Sequence, residues 1–418
     1  MNTRQTIFRF AGLGAALALA LAACGTPDDA EDDAATSSTT DTAPSGVEPS
    51  TTATAPEVSA AVGVLPEGPS ALQTLVADEF PDPQVDPAEI ISGGPPPDGI
   101  PPIDDPSFLN VADALDLLPA AEPVVALEID GDARAYPVRV LIWHEIVNDT
   151  VGDVPVSVTY CPLCNSAVSY RREVRGVETT FGTSGSLFAS ALVMYDRATE
   201  SLWTHFDGRA VVGLLAGDQL EPIASPLLSW EEFRATYPDG LVLDPDATGF
   251  TRNYGSNPYQ GYDDPNTDPF LFLGAPDDRA DAKQRVVGIA HNGDAAAYSI
   301  EAVSGGAARA TNVQVGGEDL VIFWKAGQAT ALESSEIAGG RDVGSVSVLR
   351  AEVDGETLTF VAQDDVFVDE QTGSQWLLNG EAVDGPLAGS RLERIHHLDT
   401  FWFAWATYQP GTALIETA

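Results

Sequence analysis

The sequence predicts a mainly β protein, rich in strands with few short helices, built from two homologous sandwich- or barrel-like units. Three observations support this prediction. Runs that alternate or cluster β-branched and aromatic residues recur along the chain, as in VPVSVTY from Val154 and ETLTFVAQ from Glu356. Gly-Asp, Asp-Gly and Asn-Gly pairs, which favour tight hairpin turns, bound these runs. In addition, segments of the first half recur in the second half in the same order.

The internal repeat consists of three pairs of matching segments, at offsets of 162, 172 and 171 residues. They are VVALEIDGDARAY from Val124 with VVGIAHNGDAAAY from Val286, LAGDQLEPI from Leu215 with LAGSRLERI from Leu387, and WEEFRATYPDG from Trp230 with FWFAWATYQPG from Phe401. Three matches in the same order indicate duplication, and we predict homologous units at roughly 110–275 and 276–418. We expect short helices at 231–237 and 401–408, the second one buried because it is apolar on every side.

The N-terminus has the features of a lipoprotein signal peptide. Arg4 and Arg9 precede an uncharged apolar run from Ala11 to Ala23, which ends in the sequence LAAC at Cys24. The run is too short to span a membrane as a helix, and a plain secretory signal would not require the cysteine. We therefore predict a signal peptide at 1–23, lipidation of Cys24, and a lipid-anchored position on the outer face of a membrane in the cell envelope.

Beyond Cys24 the composition predicts a disordered acidic tether at 24–80, followed by the first β-rich repeat at 81–275 and the second at 276–418. The segment from 25 to about 62 contains no Lys, Arg or aromatic residue, so it cannot bury enough apolar surface to fold. The whole chain has 63 acidic and 20 basic residues, a net charge of −43. Nucleic acid is therefore not an expected partner, because its phosphates require clustered basic side chains.

Cys161 and Cys164 form an isolated Cys-Pro-Leu-Cys pair directly after a predicted strand. A disulfide across so small a loop would stabilise the fold little, which favours a chemical role. Thiolates are soft ligands for copper(I) and zinc. With His144 on the preceding strand-like run, the pair predicts a copper or zinc site, and His397 is a further candidate ligand. No Gly-rich phosphate loop is present, so no nucleotide cofactor is expected.

Two other classes of function fit the same residues. The spacing of Cys161 and Cys164 is also that of a thiol–disulfide redox protein. However, the sequence after Cys164 alternates like a strand and lacks the activating helix of thioredoxins. Alternatively, the cysteines form a structural disulfide in a module that binds a carbohydrate or a protein. Five aromatic residues motivate that alternative: Tyr254, Tyr259, Tyr262, Trp402 and Trp405. The sequence leaves open whether the protein is an enzyme, and it identifies no protein or small-molecule partner.

The chain resembles a bacterial and archaeal family known as domain of unknown function 3179. The resemblance rests on AYPVRVL from Ala135, WHEIVNDTVGDVPVSVTYCPLCNSA from Trp143, TFGTSGSLFASALVMYDRATESLW from Thr180, RNYGSNPYQGY from Arg252 and the C-terminal FWFAW. His144, Cys161 and Cys164 match the family pattern. His205 lies where the pattern more often has another polar residue, so the resemblance argues against His205 as a ligand. The family name implies no activity.

Overall fold

The computed structural model describes residues 63–417 and confirms the prediction of a β-rich protein. Strands contain 39% of the residues and helices 10%, so sheets form most of the architecture. Within the described residues no sheet closes on itself, and the barrel-like alternative is therefore not realised. The predicted signal peptide, Cys24 and most of the predicted tether lie outside the described residues.

The first predicted repeat consists mostly of short strands joined by turns. Its strands are β1 Ile91–Ser92, β2 Phe108–Asn110, β3 Pro123–Ile129, β4 Asp132–Pro137, β5 Ile146–Val151, β6 Val154–Cys161, β7 Ser166–Arg171, β8 Glu173–Val174, β9 Val177–Glu178, β10 Phe181–Phe188, β11 Ala191–Asp196, β12 Leu202–Thr204, β13 Ala210–Val212, β14 Pro222–Ile223, β15 Leu227–Ser229 and β16 Leu241–Leu243. Its helices are α1 Val138–His144 and α2 Trp230–Thr236. Single 3₁₀ turns lie at Pro87–Glu89, Val111–Asp113 and Pro245–Ala247.

The second predicted repeat has a similar composition of elements. Its strands are β17 Arg285–His291, β18 Asp294–Ser299, β19 Ala308–Val315, β20 Glu318–Lys325, β21 Ser345–Arg350, β22 Glu352–Val353, β23 Glu356–Thr357, β24 Phe360–Gln363, β25 Val366–Asp369, β26 Gln375–Trp376, β27 Ala382–Asp384, β28 Leu398–Phe401 and β29 Ala413–Ile415. Its helices are α3 Ile300–Val303 and α4 Trp402–Tyr408, with a 3₁₀ turn at Ile337–Gly339. Both predicted short helices are therefore confirmed, as α2 and α4, and α4 is largely buried.

Sheet order is similar in the two halves. The first half contains the orders β15-β3-β4-β16-β2, β14-β7-β6-β5 and β1-β10-β11-β12-β13, and the second contains β28-β17-β18-β29, β19-β20-β21 and β24-β25-β26-β27. Each half has a central hairpin, β3–β4 or β17–β18, with an antiparallel neighbour on one side and a parallel one on the other. The hairpin turns are Asp130-Gly131 and Asn292-Gly293, and all four φ angles are positive, as a type I′ turn requires.

A turn closed by a buried aspartate also occurs once in each half. Asp196 accepts hydrogen bonds from Trp203 Nε1 at 2.9 Å and from Ser201 N at 3.2 Å. Asp369 accepts the corresponding bond from Trp376 Nε1 at 3.0 Å. These shared turns agree with the predicted repeat, whereas the common origin of the two halves stays a prediction.

The two halves share one apolar core. A single cluster of buried side chains includes Tyr160 and Val168 from the first half and Phe401 and Trp405 from the second. The described residues accordingly belong to one compact unit. A site built on strands of the first half can therefore depend on side chains of the second.

We expect Asp196→Ala to lower the free energy of unfolding by about 3 kcal/mol, because it leaves Trp203 Nε1 and the backbone N–H of Thr199 buried without an acceptor. Urea denaturation measures the effect. Asp239→Ala, at an exposed position, is the control and should change stability little. A similar small effect in both variants would show that the aspartate does not hold the turn.

Candidate functional site

The Cys-Pro-Leu-Cys motif connects two neighbouring antiparallel strands. Cys161 ends β6, Ser166 begins β7, and the two residues are paired in the strand register. Cys161 and Cys164 are free thiols with 1% and 0% of their surfaces exposed. Asn165 completes the turn with a φ of 48°, a left-handed conformation that Asn tolerates better than most residues. The dithiol therefore lies inside the protein, and the strand predicted after Cys164 is confirmed as β7.

The second half of the chain holds this turn in place. The carbonyl oxygen of Cys164 accepts hydrogen bonds from Thr400 Oγ1 at 2.7 Å and from Phe401 N at 3.1 Å, both on β28. Next to them, Asp399 forms a buried ion pair with Arg285 of β17, with Nη2 and Oδ2 2.6 Å apart. The half that lacks the cysteines thus supplies the support for the turn that carries them.

The two thiols differ in acidity. Burial opposes ionisation at Cys161, but hydrogen bonds from the Cys164 thiol and from the backbone N–H groups of Leu192, Cys164 and Leu163 lower its pKa below the ordinary value. At Cys164, burial and then the neighbouring Cys161 sulfur raise the pKa well above the ordinary value. Because the thiolate is the nucleophilic form of cysteine, we expect Cys161 to be the more nucleophilic sulfur.

A directed chain of hydrogen bonds begins at Cys164. The Thr159 hydroxyl donates to the carbonyl of Val168 at 2.7 Å, and it therefore accepts from His205 Nδ1 at 2.8 Å. With its proton assigned to Nδ1, His205 accepts at Nε2 from the Ser166 hydroxyl, 2.9 Å away. The Ser166 oxygen lies 2.9 Å from the Cys164 sulfur. This chain therefore links Cys164 to a neutral His205 through the Ser166 hydroxyl.

His205 is part of the site as a hydrogen-bond partner of Ser166. Its side chain is completely buried, and burial lowers its pKa to about 3. The ring is therefore neutral, as the single donor and single acceptor of the chain require. Sequence reasoning placed His205 in doubt as a ligand, and the structure places it two hydrogen bonds away from the Cys164 sulfur.

Glu145 belongs to the same site, although the sequence analysis did not select it. It follows α1 with a φ of 59°, a conformation that is uncommon for residues other than glycine. Its carbonyl accepts a hydrogen bond from Tyr160 N at 2.9 Å, one residue before Cys161. Its side chain is buried, and burial followed by the charge of the Cys161 sulfur raises its pKa well above the ordinary value. Such a carboxyl group favours the protonated form beside the more acidic thiol.

His144, the predicted metal ligand, lies on helix α1, which corrects the expectation that it belongs to a strand-like run. Its Nδ1 is 2.7 Å from the carbonyl of Pro101, so this nitrogen donates. Its Nε2 is 2.6 Å from the Tyr254 hydroxyl and accepts. Both ring nitrogens of His144 therefore have partners other than the cysteines.

The fourth predicted ligand, His397, is also engaged elsewhere, with Nδ1 3.0 Å from the carbonyl of Ile395. Between residues 63 and 417, no group of three or more His, Cys, Asp or Glu side chains is placed to hold a metal ion. The structure thus brings Cys161 and Cys164 together but directs His144 and His397 to other partners. Binding of copper or zinc stays a prediction.

The fold and the site define a β-rich protein with a buried dithiol turn. The chain belongs to the family described as protein of unknown function (DUF3179), whose family model matches residues 97–412. This match confirms the resemblance drawn from the sequence. No curated protein and no solved structure matches the chain. Over the part of the chain that is described, no helix has the length and apolar character needed to cross a membrane.

We expect acid to destabilise the protein through His205. Its folded pKa, about 3, lies below the ordinary histidine value of 6.5, so the unfolded chain binds a proton that the folded chain does not. The neutral His205 therefore stabilises the fold fully above the unfolded pKa, and this contribution is lost as the pH falls from 6.5 toward 3. Between about pH 7 and about pH 5 the loss from this residue is about 2 kcal/mol.

Urea unfolding at the two pH values, for the native protein and for His205→Gln, measures this contribution. The native protein should lose about 2 kcal/mol more than the variant, which has no titrating ring. Comparison of the two removes the contributions of other groups, including His396 and His397. An equal loss in both proteins would contradict the assignment of a neutral His205.

Proposed function

We propose that the protein is a thiol–disulfide redox protein in which Cys161 is the attacking thiol and Cys164 the resolving thiol. The observation that supports this function best is the unequal environment of the two sulfurs. Amide and thiol hydrogen bonds favour the thiolate of Cys161, while burial keeps Cys164 protonated. This difference suits the two steps of disulfide exchange. The thiolate attacks the substrate disulfide first, and the second thiol then attacks the mixed disulfide.

The proposed reaction consumes a substrate disulfide and oxidises the protein. The Cys161 thiolate attacks one sulfur of the substrate, the sulfur–sulfur bond of the substrate breaks, and the first product leaves as a thiolate. Cys164 then loses its proton and attacks the Cys161 sulfur of the mixed disulfide, which releases the second thiolate product. Two electrons pass from the cysteine pair to the substrate, and the same steps in reverse oxidise a substrate dithiol.

Glu145 has a place in both steps of this scheme. Its carboxyl group, whose pKa is raised by burial and by the charge of the Cys161 sulfur, gives its proton to the first leaving thiolate. The mixed disulfide removes the negative charge from Cys161, and that charge is one of the two causes of the raised pKa of Glu145. The carboxylate is then stable enough to accept the proton of Cys164 in the second step. The carboxyl group returns to its protonated form at the end of the cycle.

The proposed location is the outer side of a membrane, with a lipid anchor on Cys24 and an acidic tether between the anchor and the folded region, which already includes the buried Ala71. The LAAC motif after an apolar run supports this proposal. Disulfides persist outside the cytoplasm, so both forms of the cysteine pair would have partners there. We also infer that the two halves arose by duplication, an inference supported by their similar sheet order.

We expect the reduced full-length chain to react with a small uncharged disulfide, bis(2-hydroxyethyl) disulfide, to form a Cys161–Cys164 disulfide. Cys164→Ser should stop at a mixed disulfide on Cys161, because the resolving thiol is missing. Cys161→Ser should react at least about tenfold more slowly, because Cys164 remains protonated. Mass spectrometry of digested protein identifies each product.

Two results would contradict the redox proposal. One is a faster reaction at Cys164 than at Cys161. The other is copper or zinc that binds tightly through both cysteines, with no disulfide exchange after the metal is removed. The second result would favour the predicted metal site instead, and metal analysis of the same samples by mass spectrometry distinguishes the two functions.

We expect Glu145→Gln to slow disulfide formation about tenfold or more, since the amide neither gives nor accepts the proton. The mixed disulfide on Cys161 should accumulate during the reaction, and stopped samples analysed by mass spectrometry would detect it. Glu173→Gln, an exposed change on β8, is the matched control and should react like the native protein. Equal rates for both variants would remove Glu145 from the mechanism.

A further inference from the structure

A long segment without helix or strand separates the two halves and lies against the dithiol. It extends from 248 to 284. Two of its side chains, Tyr259 and Tyr262, pack against the apolar cluster that contains Cys161 and Cys164. The Tyr262 ring also packs against Phe401, with centroids 6.2 Å apart. The segment therefore covers the turn near the place where Phe401 binds Cys164.

The inner part of this segment is attached to the second half by backbone hydrogen bonds. Gly261 N donates to the carbonyl of Glu333 at 3.0 Å, and Tyr262 N donates to the carbonyl of Leu332 at 3.1 Å. These bonds lie immediately beside the tyrosines that cover the site. Separation of these two segments of the chain would therefore move Tyr259 and Tyr262 together.

Two buried polar contacts strengthen the attachment. Asp263 is 2% exposed, accepts a hydrogen bond from Thr330 Oγ1 at 2.7 Å, and pairs with Arg341 at 3.1 Å. Lys283 is 3% exposed, donates to the carbonyl of Tyr262 at 2.6 Å, and has its Nζ 4.2 Å from the centre of the Tyr262 ring. The two contacts hold the Tyr262 carbonyl and the side chain of the next residue, and we call them the latch.

The outer part of the segment is exposed and has a strained backbone, which favours opening. Phe270, Leu271 and Leu273 are 49%, 41% and 54% exposed, and between them only Phe272 packs inward, against Phe403 with ring centroids 5.4 Å apart. Leu271 also has a φ of 50°, which is unfavourable for a bulky side chain. Backbone strain of this kind costs roughly 1–3 kcal/mol and is released when the segment moves. The closed position is thus held by the latch against a strained, exposed edge.

We propose that residues 253–273 form a lid over Cys161 and Cys164, and that a substrate disulfide reaches Cys161 only when release of the latch lets this lid open. The inference rests on the proposed function, because it concerns access to the same dithiol. The lid adds control of access to that function, since Cys161 and Cys164 are 1% and 0% exposed when it is closed. Opening is also what would admit a substrate larger than a small molecule.

Alkylation of the reduced full-length chain by iodoacetamide tests the lid without requiring redox activity. Thr330→Val removes one hydrogen bond of the latch, and Lys283→Met removes another while it keeps an apolar side chain of similar length. Lys325→Met is the matched control, since this other lysine pairs with Glu232 away from the lid. Digestion and mass spectrometry give the rate of modification at Cys161, and thermal unfolding confirms that each variant is folded.

We expect modification of Cys161 to be at least about tenfold faster in both latch variants than in the native protein, and unchanged in Lys325→Met. Folded latch variants that react at the native rate would overturn the lid, as would equal acceleration in Lys325→Met. Rapid alkylation of a latch variant that still fails to exchange with bis(2-hydroxyethyl) disulfide would retain the lid and refute the redox function. The two proposals can therefore fail separately.

Discussion

The hydrogen bonds from Thr400 and Phe401 to the carbonyl of Cys164 are the interaction on which the rest of the site depends. They fix a short turn of the first half against a strand of the second, within a shared apolar core. Low polarity inside that core makes every unsatisfied polar group costly. Backbone N–H groups that donate to the Cys161 sulfur lower its pKa and so favour the thiolate despite burial.

The second half offers a comparison for this chemistry. By the sequence repeat, the cysteine turn corresponds to residues near Trp324 to Gln328. There Ser345 Oγ donates to Gln328 Oε1 at 3.2 Å, while in the first half the Ser166 hydroxyl contacts the Cys164 sulfur. The corresponding strand pair thus carries an amide in one half and a buried thiol in the other. Function is placed on this scaffold by a few side chains.

Local patterns predicted local structure well. The Asp-Gly and Asn-Gly turns, the strand after Cys164 and the two short helices are confirmed, because short-range turn geometry and hydrophobic pattern determine them. Contacts between distant residues were not predictable in the same way. Ser166 and His205 meet across 39 residues, and Glu145 enters the site through a left-handed backbone conformation that no local pattern indicated. His144 matched the family pattern, yet tertiary packing gave both of its nitrogens other partners.

Equilibration of the full-length chain in glutathione redox buffers tests whether Cys161 and Cys164 act as one redox pair. The fraction of Cys161–Cys164 disulfide, measured by mass spectrometry after acid quenching, is followed against the ratio of reduced to oxidised glutathione. We expect one reversible two-electron transition in which both thiols disappear together. Two thiols that form only separate glutathione adducts, or that stay reduced at every ratio, would contradict it.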